Sequence, residues 1–311
     1  MRAPPRAAAV VLGTRASPLA RAQTGGVVEL LHAVWPELAC DVRPIATHGD
    51  RTQASGEPLP EIGGKGLFTL ELERALRDRE IDLAVHSLKD LPTEVDPDVV
   101  VGAVCLREDA RDCLVARDGL TLATLPPGSV VGTSSLRREA QLRALRADLE
   151  IRSIRGNVDT RVRKVLDSEF DAAVLAAAGV KRLGLEEAVT EWLEPATMLP
   201  APGQGALAIQ CRADDERVTE LLATIDDPHS RATTTAERGF LRALGGGCAA
   251  PVAAHATLNG DDVRMDALVS SVDGKDVVRV SGEGAPDELG ERLAREALAA
   301  GADRILAAIR G

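Results

Sequence analysis

Tyrosine is absent from the 311 residues, and aromatic side chains make up only 2% of them. Cores must therefore be assembled from Ala, Val and Leu, and few rings are available for stacking against nucleobases. No apolar run approaches the length of a membrane span. The five cysteines, Cys40, Cys105, Cys113, Cys211 and Cys248, are scattered, odd in number and without C-x-x-C spacing. That pattern argues against a zinc or dithiol site, so no metal is expected, and it suggests reduced thiols. Positive charge is also in deficit: 37 basic against 48 acidic residues give a formal charge of −11. Such a balance argues against a generic binder of nucleic acid or anionic membranes, and any anionic ligand has to be met by local basic clusters. Arg2, Arg6 and the run from Ala7 to Leu12 imitate a secretory signal, but the run is short and Arg15 follows it. The expectation is a cytoplasmic protein.

What is present is organised twice over. Val10 to Ser17 reads as a buried strand entering a tight turn, and Pro18 to Leu31 has helical apolar spacing. Ser129 to Ser135 repeats that plan, with a helix from Leu136 to about Arg146. Asp41–Ile45 then matches Glu150–Ile154, and Asp82–Val85 matches Asp171–Val174. Three matched strands in one order predict two α/β lobes, each around a mostly parallel sheet. The first lobe carries an insertion, Thr52 to Gly66, rich in Gly, Pro and Ser, which reads either as a lid or as disorder. Ala206–Gln210 reads as a strand returning to the first lobe. A helix from about Thr235 to Leu244 and strands near 252–258, 263–272 and 277–280 follow, then a helix from Pro286 with Leu289, Leu293 and Ala297 on one face. The expected domains are 1–105 with 204–224, 106–203, and 228–311, the last a small C-terminal α+β domain.

Strands that end in Gly-Thr-Ser turns and feed helices leave unpaired N–H groups and hydroxyls at a helix N-terminus, where an anion is stabilised. Arg15, Ser17, Thr133, Ser134 and Ser135 are therefore expected along one cleft between the lobes. Arg137 and Arg138 open the second-lobe helix, and Arg155, Arg161, Arg163 and Lys164 follow the next strand. Cations at a helix N-terminus oppose its dipole, so the Arg137–Arg138 pair implies an anion close by. Pairing with Glu139 and Asp148 on a solvated face accounts better for Arg143 and Arg146.

The strand ending at Val85 runs into His86-Ser87-Leu88-Lys89-Asp90-Leu91-Pro92, with a lysine beside a carboxylate. Asp90 could stabilise a developing positive charge or exchange protons with a substrate; it could equally belong to a Lys–Asp turn before Pro92. His86 reads as a buried strand residue ahead of a catalytic base. Cys248, after Gly245-Gly246-Gly247, is either an accessible thiol or a small buried hydrophobe beyond a helix end. Two anion-binding lobes would also suit a solute-binding protein or a ligand-sensing regulatory domain, but neither needs Cys248 or Asp90. A cysteine hydrolase with His255 as base has no specific spacing in its favour.

Seven stretches taken together closely resemble the porphobilinogen deaminase family: Gly13–Ala20, Ile62–Phe68, Ala84–Asp90, Val131–Arg138, Arg155-Gly156-Asn157, Leu199–Ala206 and Gly246-Gly247-Cys248. They run in family order through all three expected domains. The resemblance implies two periplasmic-binding-protein-like α/β lobes plus a small C-terminal α+β domain. It implies an enzyme, a transferase of tetrapyrrole and heme biosynthesis, that joins four porphobilinogen molecules head to tail with loss of ammonia and then releases hydroxymethylbilane by hydrolysis. It further implies a dipyrromethane cofactor bound covalently through Cys248. Independently of the resemblance, no large unexplained apolar surface requires a partner, so a monomer is expected, and the charge balance leaves neither nucleic acid nor membrane as a partner. By the resemblance, Asp90 would be catalytic, steadying pyrrole nitrogens and the positive charge that develops as ammonia leaves. Ser87, Lys89, Asp90, Thr133, Ser135, Arg137, Arg138, Arg155 and Gly156 would hold the cofactor. Arg15, Ser17, Gln23, Arg155, Arg161, Arg182 and Gln204 would serve the substrate, and Lys65 and Phe68 would belong to the lid. Glu61, Leu70 and Asp159 depart from the family pattern, and Asp159 is expected to offset Arg155 or Arg161.

Overall fold

The computed structural model describes residues 9–47, 69–94, 96–245 and 250–310. The chain divides into two compact units, Met1–Arg107 with Ala206–Arg231, and Glu108–Gly205 with Ala232–Gly311. It begins with β1 (Val10–Arg15), α1 (Pro18–Val34), β2 (Cys40–Ile45), α2 (Leu70–Arg77), β3 (Leu83–Ser87) and β4 (Val99–Val104). Next come β5 (Asp112–Ala116), β6 (Val130–Gly132), α3 (Leu136–Leu145), β7 (Glu150–Arg152), α4 (Val158–Leu166), β8 (Ala172–Ala176), α5 (Ala177–Arg182) and β9 (Glu191–Leu193). The return segment supplies β10 (Leu207–Arg212) and α6 (Glu216–Leu222), followed by α7 (Pro228–Ala243). The C-terminal part is β11 (Val252–Asn259), β12 (Asp262–Ser270), β13 (Val277–Gly284), α8 (Pro286–Ala297) and α9 (Asp303–Arg310).

The two α/β lobes share one sheet plan. The first has the order β2-β1-β3-β10-β4 and the second β7-β6-β8-β5-β9. In both, three parallel strands come first and the fourth, β10 or β5, is antiparallel to its neighbours. The sheets are thus less uniformly parallel than the expected alternation, because β5 and β10 enter their sheets from outside it. β4, β5 and β9 had no counterpart in the sequence reading. In β5 all five residues are buried, and such a strand shows no period-2 alternation.

Local chemistry explains where the elements start. Ser17 caps α1, its hydroxyl accepting from the Ala20 amide at 3.3 Å, and Pro18 occupies the first turn, where its missing N–H costs nothing. Val27 and Leu31 then face the β1–β3 core beside Leu12, Leu83 and Val85. Each fully buried aliphatic side chain contributes roughly 1.5–3 kcal/mol. In the C-terminal part, Leu289, Leu293 and Ala297 lie on the buried face of α8 and pack with Phe240 and the inner residues of β11 and β12.

The second unit holds the second lobe and the three-stranded C-terminal sheet together. Leu199, Ala253 and Leu268 form a small shared core. Glu237 of α7 is fully buried and accepts from Gly203 N at 2.7 Å and from Ala256 N at 2.8 Å, tying the turn before β10 to β11. Gly205 ends that turn with φ +91°, and a Cβ added there would lie 2.3 Å from the Glu108 carbonyl oxygen. Backbone crowding and a left-handed conformation both exclude a side chain. Gly205→Ala is expected to destabilise the second unit by about 2 kcal/mol or more, seen as a lowered Tm; an unchanged Tm would mean the turn can open freely.

Candidate functional site

In the first unit, the carboxyl ends of β1 and β3 and the first turns of α1 surround a pocket of about 70 Å³. Arg15, Ser17, Gln23, Ser87 and Asp90 line it, five of the residues singled out from the sequence. Gln23 is buried and its Nε2 donates to Ser87 Oγ at 2.9 Å, which fixes both side chains at the rim. Asp90 is exposed and closes a single 3-10 turn, Leu88–Asp90, that stops the strand. Lys89 in the same turn is half-buried and does not line the pocket.

His86 and Thr69 also line this pocket, and both are buried with polar atoms, Nε2 and Oγ1, that have no hydrogen-bond partner among the described residues. Burial pushes the His86 pKa down to about 4; Gln210 opposes this and the Arg15 charge adds to it. The imidazole is therefore neutral near pH 7. Thr69 was not foreseen, since a threonine ahead of an amphipathic helix carries no distinguishing signal.

In the second unit, Thr133 is buried and its Oγ1 accepts from Ser135 N at 3.1 Å, shaping the turn that opens α3. Ser135 is half-buried, and its side chain makes no capping bond. Ser134, expected to face a ligand, instead donates to Ile154 O at 2.7 Å and meets Ser153 Oγ at 2.9 Å. Gly156 has φ +110°, and its carbonyl accepts from Arg161 Nε at 2.8 Å. Arg155 is exposed. Burial, with the Arg138 and Arg155 charges, brings the Arg161 pKa down to about 10. These cations are thus gathered into one field. Asp159 does not relieve it, contrary to expectation: it sits one helical turn before Arg163 and pairs with that side chain at 3.3 Å.

Arg137 and Arg138 are buried, and the anion demanded by their position belongs to the protein. It is Asp112, at the start of β5, with no exposed surface. Arg137 Nη1 reaches Oδ2 at 2.7 Å, and Arg138 Nη2 and Nε reach Oδ1 at 2.8 and 3.1 Å. Burial alone would raise the Asp112 pKa, but the two guanidinium charges hold it well below the usual carboxylate range. Arg143 and Arg146 pair with Glu139 and Asp148, as expected of a solvated face.

Gln204, expected at the substrate, is fully buried. Its Nε2 donates to Ala110 O at 2.7 Å and to Asp112 Oδ1 at 2.9 Å, so in this structure it supports Asp112. Arg182 is half-buried and donates to Gly205 O at 2.7 Å. The sequence reading missed Asp112, although a charged residue opening the apolar run 113–116 was an available cue. Lys65, Phe68, Glu61, Cys248 and the 52–66 insertion lie outside the described residues.

The donor set suits a ligand with several carboxylates. Among the described residues Asp112 is the one carboxylate paired with any of Arg137, Arg138, Arg155 and Arg161, leaving a surplus of positive charge beside the hydroxyls of Thr133 and Ser135. No group of three or more His, Cys, Asp or Glu among the described residues could hold a metal ion, and no described helix is long and apolar enough to cross a membrane.

Residues 10–220 match the family model for the porphobilinogen deaminase dipyromethane cofactor binding domain, and residues 232–299 match the model for the porphobilinogen deaminase C-terminal domain. The chain is 50% identical over 300 residues to a porphobilinogen deaminase of Roseiflexus castenholzii, covering 96% of this chain and 98% of that one. It is 49% identical over 307 residues to the enzyme of that name from Mycolicibacterium gilvum, covering 95% and 97%. A relative of the same name in Syntrophobacter fumaroxidans is 46% identical over 298 residues, covering 95% and 96%. Among solved structures, a nutrient binding protein from Burkholderia cenocepacia bound to methionine superposes with a TM-score of 0.44 at 15% identity, covering 71% of this chain and 93% of that one.

The buried imidazole gives a pH signature. Its folded pKa lies below the unfolded value of 6.5, so as pH falls the unfolded chain takes up the proton first. The stability that neutral His86 confers is fully present above about pH 6.5 and is lost between there and about pH 4, on the order of 3 kcal/mol. Denaturant unfolding across that window should flatten in His86→Gln; a parental slope in the variant would assign the effect to other groups.

Proposed function

The chain belongs to the porphobilinogen deaminase family, and from that membership we propose that it condenses four porphobilinogen molecules head to tail and then hydrolyses the product to hydroxymethylbilane. In each addition a C–C bond forms between pyrroles while a C–N bond breaks and ammonia departs. A dipyrromethane tethered by a thioether to Cys248 would supply the anchored primer for those additions. The observation that carries this reading is the gathering of arginines with surplus charge in a protein whose net charge is −11. Porphobilinogen bears an acetate and a propionate, so every ring brings two carboxylates to be neutralised.

The chain's own residues divide the work. Arg137, Arg138, Arg155 and Arg161, with the hydroxyls of Thr133 and Ser135, would hold cofactor and chain carboxylates in the second unit. Ser87 and Lys89, in the first unit, are further candidates for holding the cofactor. In the first unit, Arg15 and Ser17 would grip the incoming ring, with Gln23 setting the orientation of Ser87. Asp90, exposed at the pocket rim, would steady pyrrole N–H groups and the cation that develops as ammonia leaves, and would exchange the associated proton. Cytoplasmic residence as a monomer, without nucleic-acid partners, completes the proposal; the acidic balance supports the last point.

Incubation with porphobilinogen is expected to release four ammonia molecules per hydroxymethylbilane formed; consumption without that ratio would contradict the reading. Asp90→Asn keeps size and polarity but removes the charge. It is expected to fold and retain cofactor while turnover falls by about two orders of magnitude or more. Turnover at the parental rate would remove Asp90 from the chemistry.

A further inference from the structure

Asp112 is fully buried and shares its carboxylate unevenly. Oδ1 accepts from Arg138 Nη2, Arg138 Nε and Gln204 Nε2, whereas Oδ2 accepts from Arg137 Nη1. Arg138 is largely spent, because its Nη1 also donates to Val174 O at 2.9 Å. Arg137 is not. Its Nη1 takes both Asp112 and Leu199 O, each at 2.7 Å, while its buried Nε has no partner among the described residues. Among the described residues, Nη2 has none either. Nε–H and Nη2–H form the side-on edge of a guanidinium, two parallel donors spaced for one carboxylate. Two cations around one carboxylate also leave a net positive charge in a region of low dielectric. An orphaned buried donor and an unbalanced charge both cost stability unless an anion meets them.

We propose that Asp112 is a positioning residue for anion recognition: it fixes Arg137 and Arg138 at the start of α3, leaving the side-on edge of Arg137 and the surplus charge of the pair for a ligand carboxylate. Gln204 is its support, orienting the carboxylate with a neutral donor to the same Oδ1 that Arg138 engages. The inference rests on the reading that cofactor carboxylates are what these arginines hold. It also revises the place of Gln204, from a group that touches substrate to one that acts through Asp112.

The test compares parent, Asp112→Asn and Gln204→Met by intact mass of freshly purified protein, with Leu142→Ala as a control for lost stability in the same helix. Asp112→Asn turns one acceptor into a donor facing a guanidinium. Its fraction carrying the two-pyrrole adduct is expected to fall at least tenfold. Gln204→Met, which spares both ion pairs, should lose about threefold and decides the matter if Asp112→Asn fails to fold. Leu142→Ala should lower Tm while keeping the parental fraction. A parental adduct fraction in either site variant, or an equal loss in Leu142→Ala, overturns the positioning role. Should the parent itself carry no adduct, the cofactor reading fails, and positioning is judged by titrating the same proteins with propane-1,2,3-tricarboxylate. Binding at least tenfold weaker in Asp112→Asn upholds it, and equal binding overturns it.

Discussion

The second unit is organised around one buried carboxylate serving two arginines. Asp112 stands at the first residue of β5, a strand buried at every position, so its charge has no access to water and must be met from within the protein. Arg137 and Arg138 meet it from the first turn of α3, where a lone pair of cations would oppose the helix dipole. Each group is costly alone, and together they are tolerable because the charges and hydrogen bonds are supplied mutually. The same arrangement fixes β5 to α3, brings in the 199–204 segment through Leu199 O and Gln204, and leaves positive charge unspent. The packing of β5, α3 and the 199–204 segment thus depends on a single interaction.

The first unit solves a different problem. Among the described residues, its pocket is lined by the cation Arg15, the exposed carboxylate Asp90, the hydroxyls of Ser17, Thr69 and Ser87, and the neutral imidazole of His86. Such a site is suited to a zwitterion: an anionic group can be held at one side while positive charge is steadied at the other. A net charge of −11 is no obstacle, because the positive field is confined to a few side chains with fixed partners.

Much of this was legible in the sequence because the signals were local. Val10–Arg15 and Val130–Gly132 were recognisable as buried strands feeding helices, and Pro18 marked the start of α1. The electrostatic conflict at Arg137–Arg138 was legible too, since it needs only helix polarity. Its resolution was not. Asp112 lies 25 residues before Arg137, and nothing in its neighbours names a partner across the sheet. The bond from Gln204 to Asp112 was hidden for the same reason, and Asp159, expected to offset Arg155 or Arg161, carried no sign of the Arg163 side chain that takes it up. Tertiary pairing, unlike periodicity, leaves little trace in a single chain.

The central claim is that the surplus positive charge exists to hold an anionic primer tethered to Cys248. Its most direct test is the intact mass of freshly purified protein beside that of Cys248→Ser. The account predicts a parent heavier than its bare sequence by two linked pyrroles, and a variant at the bare sequence mass. A parent at the bare mass in active enzyme, or a variant that keeps the addition, would contradict it.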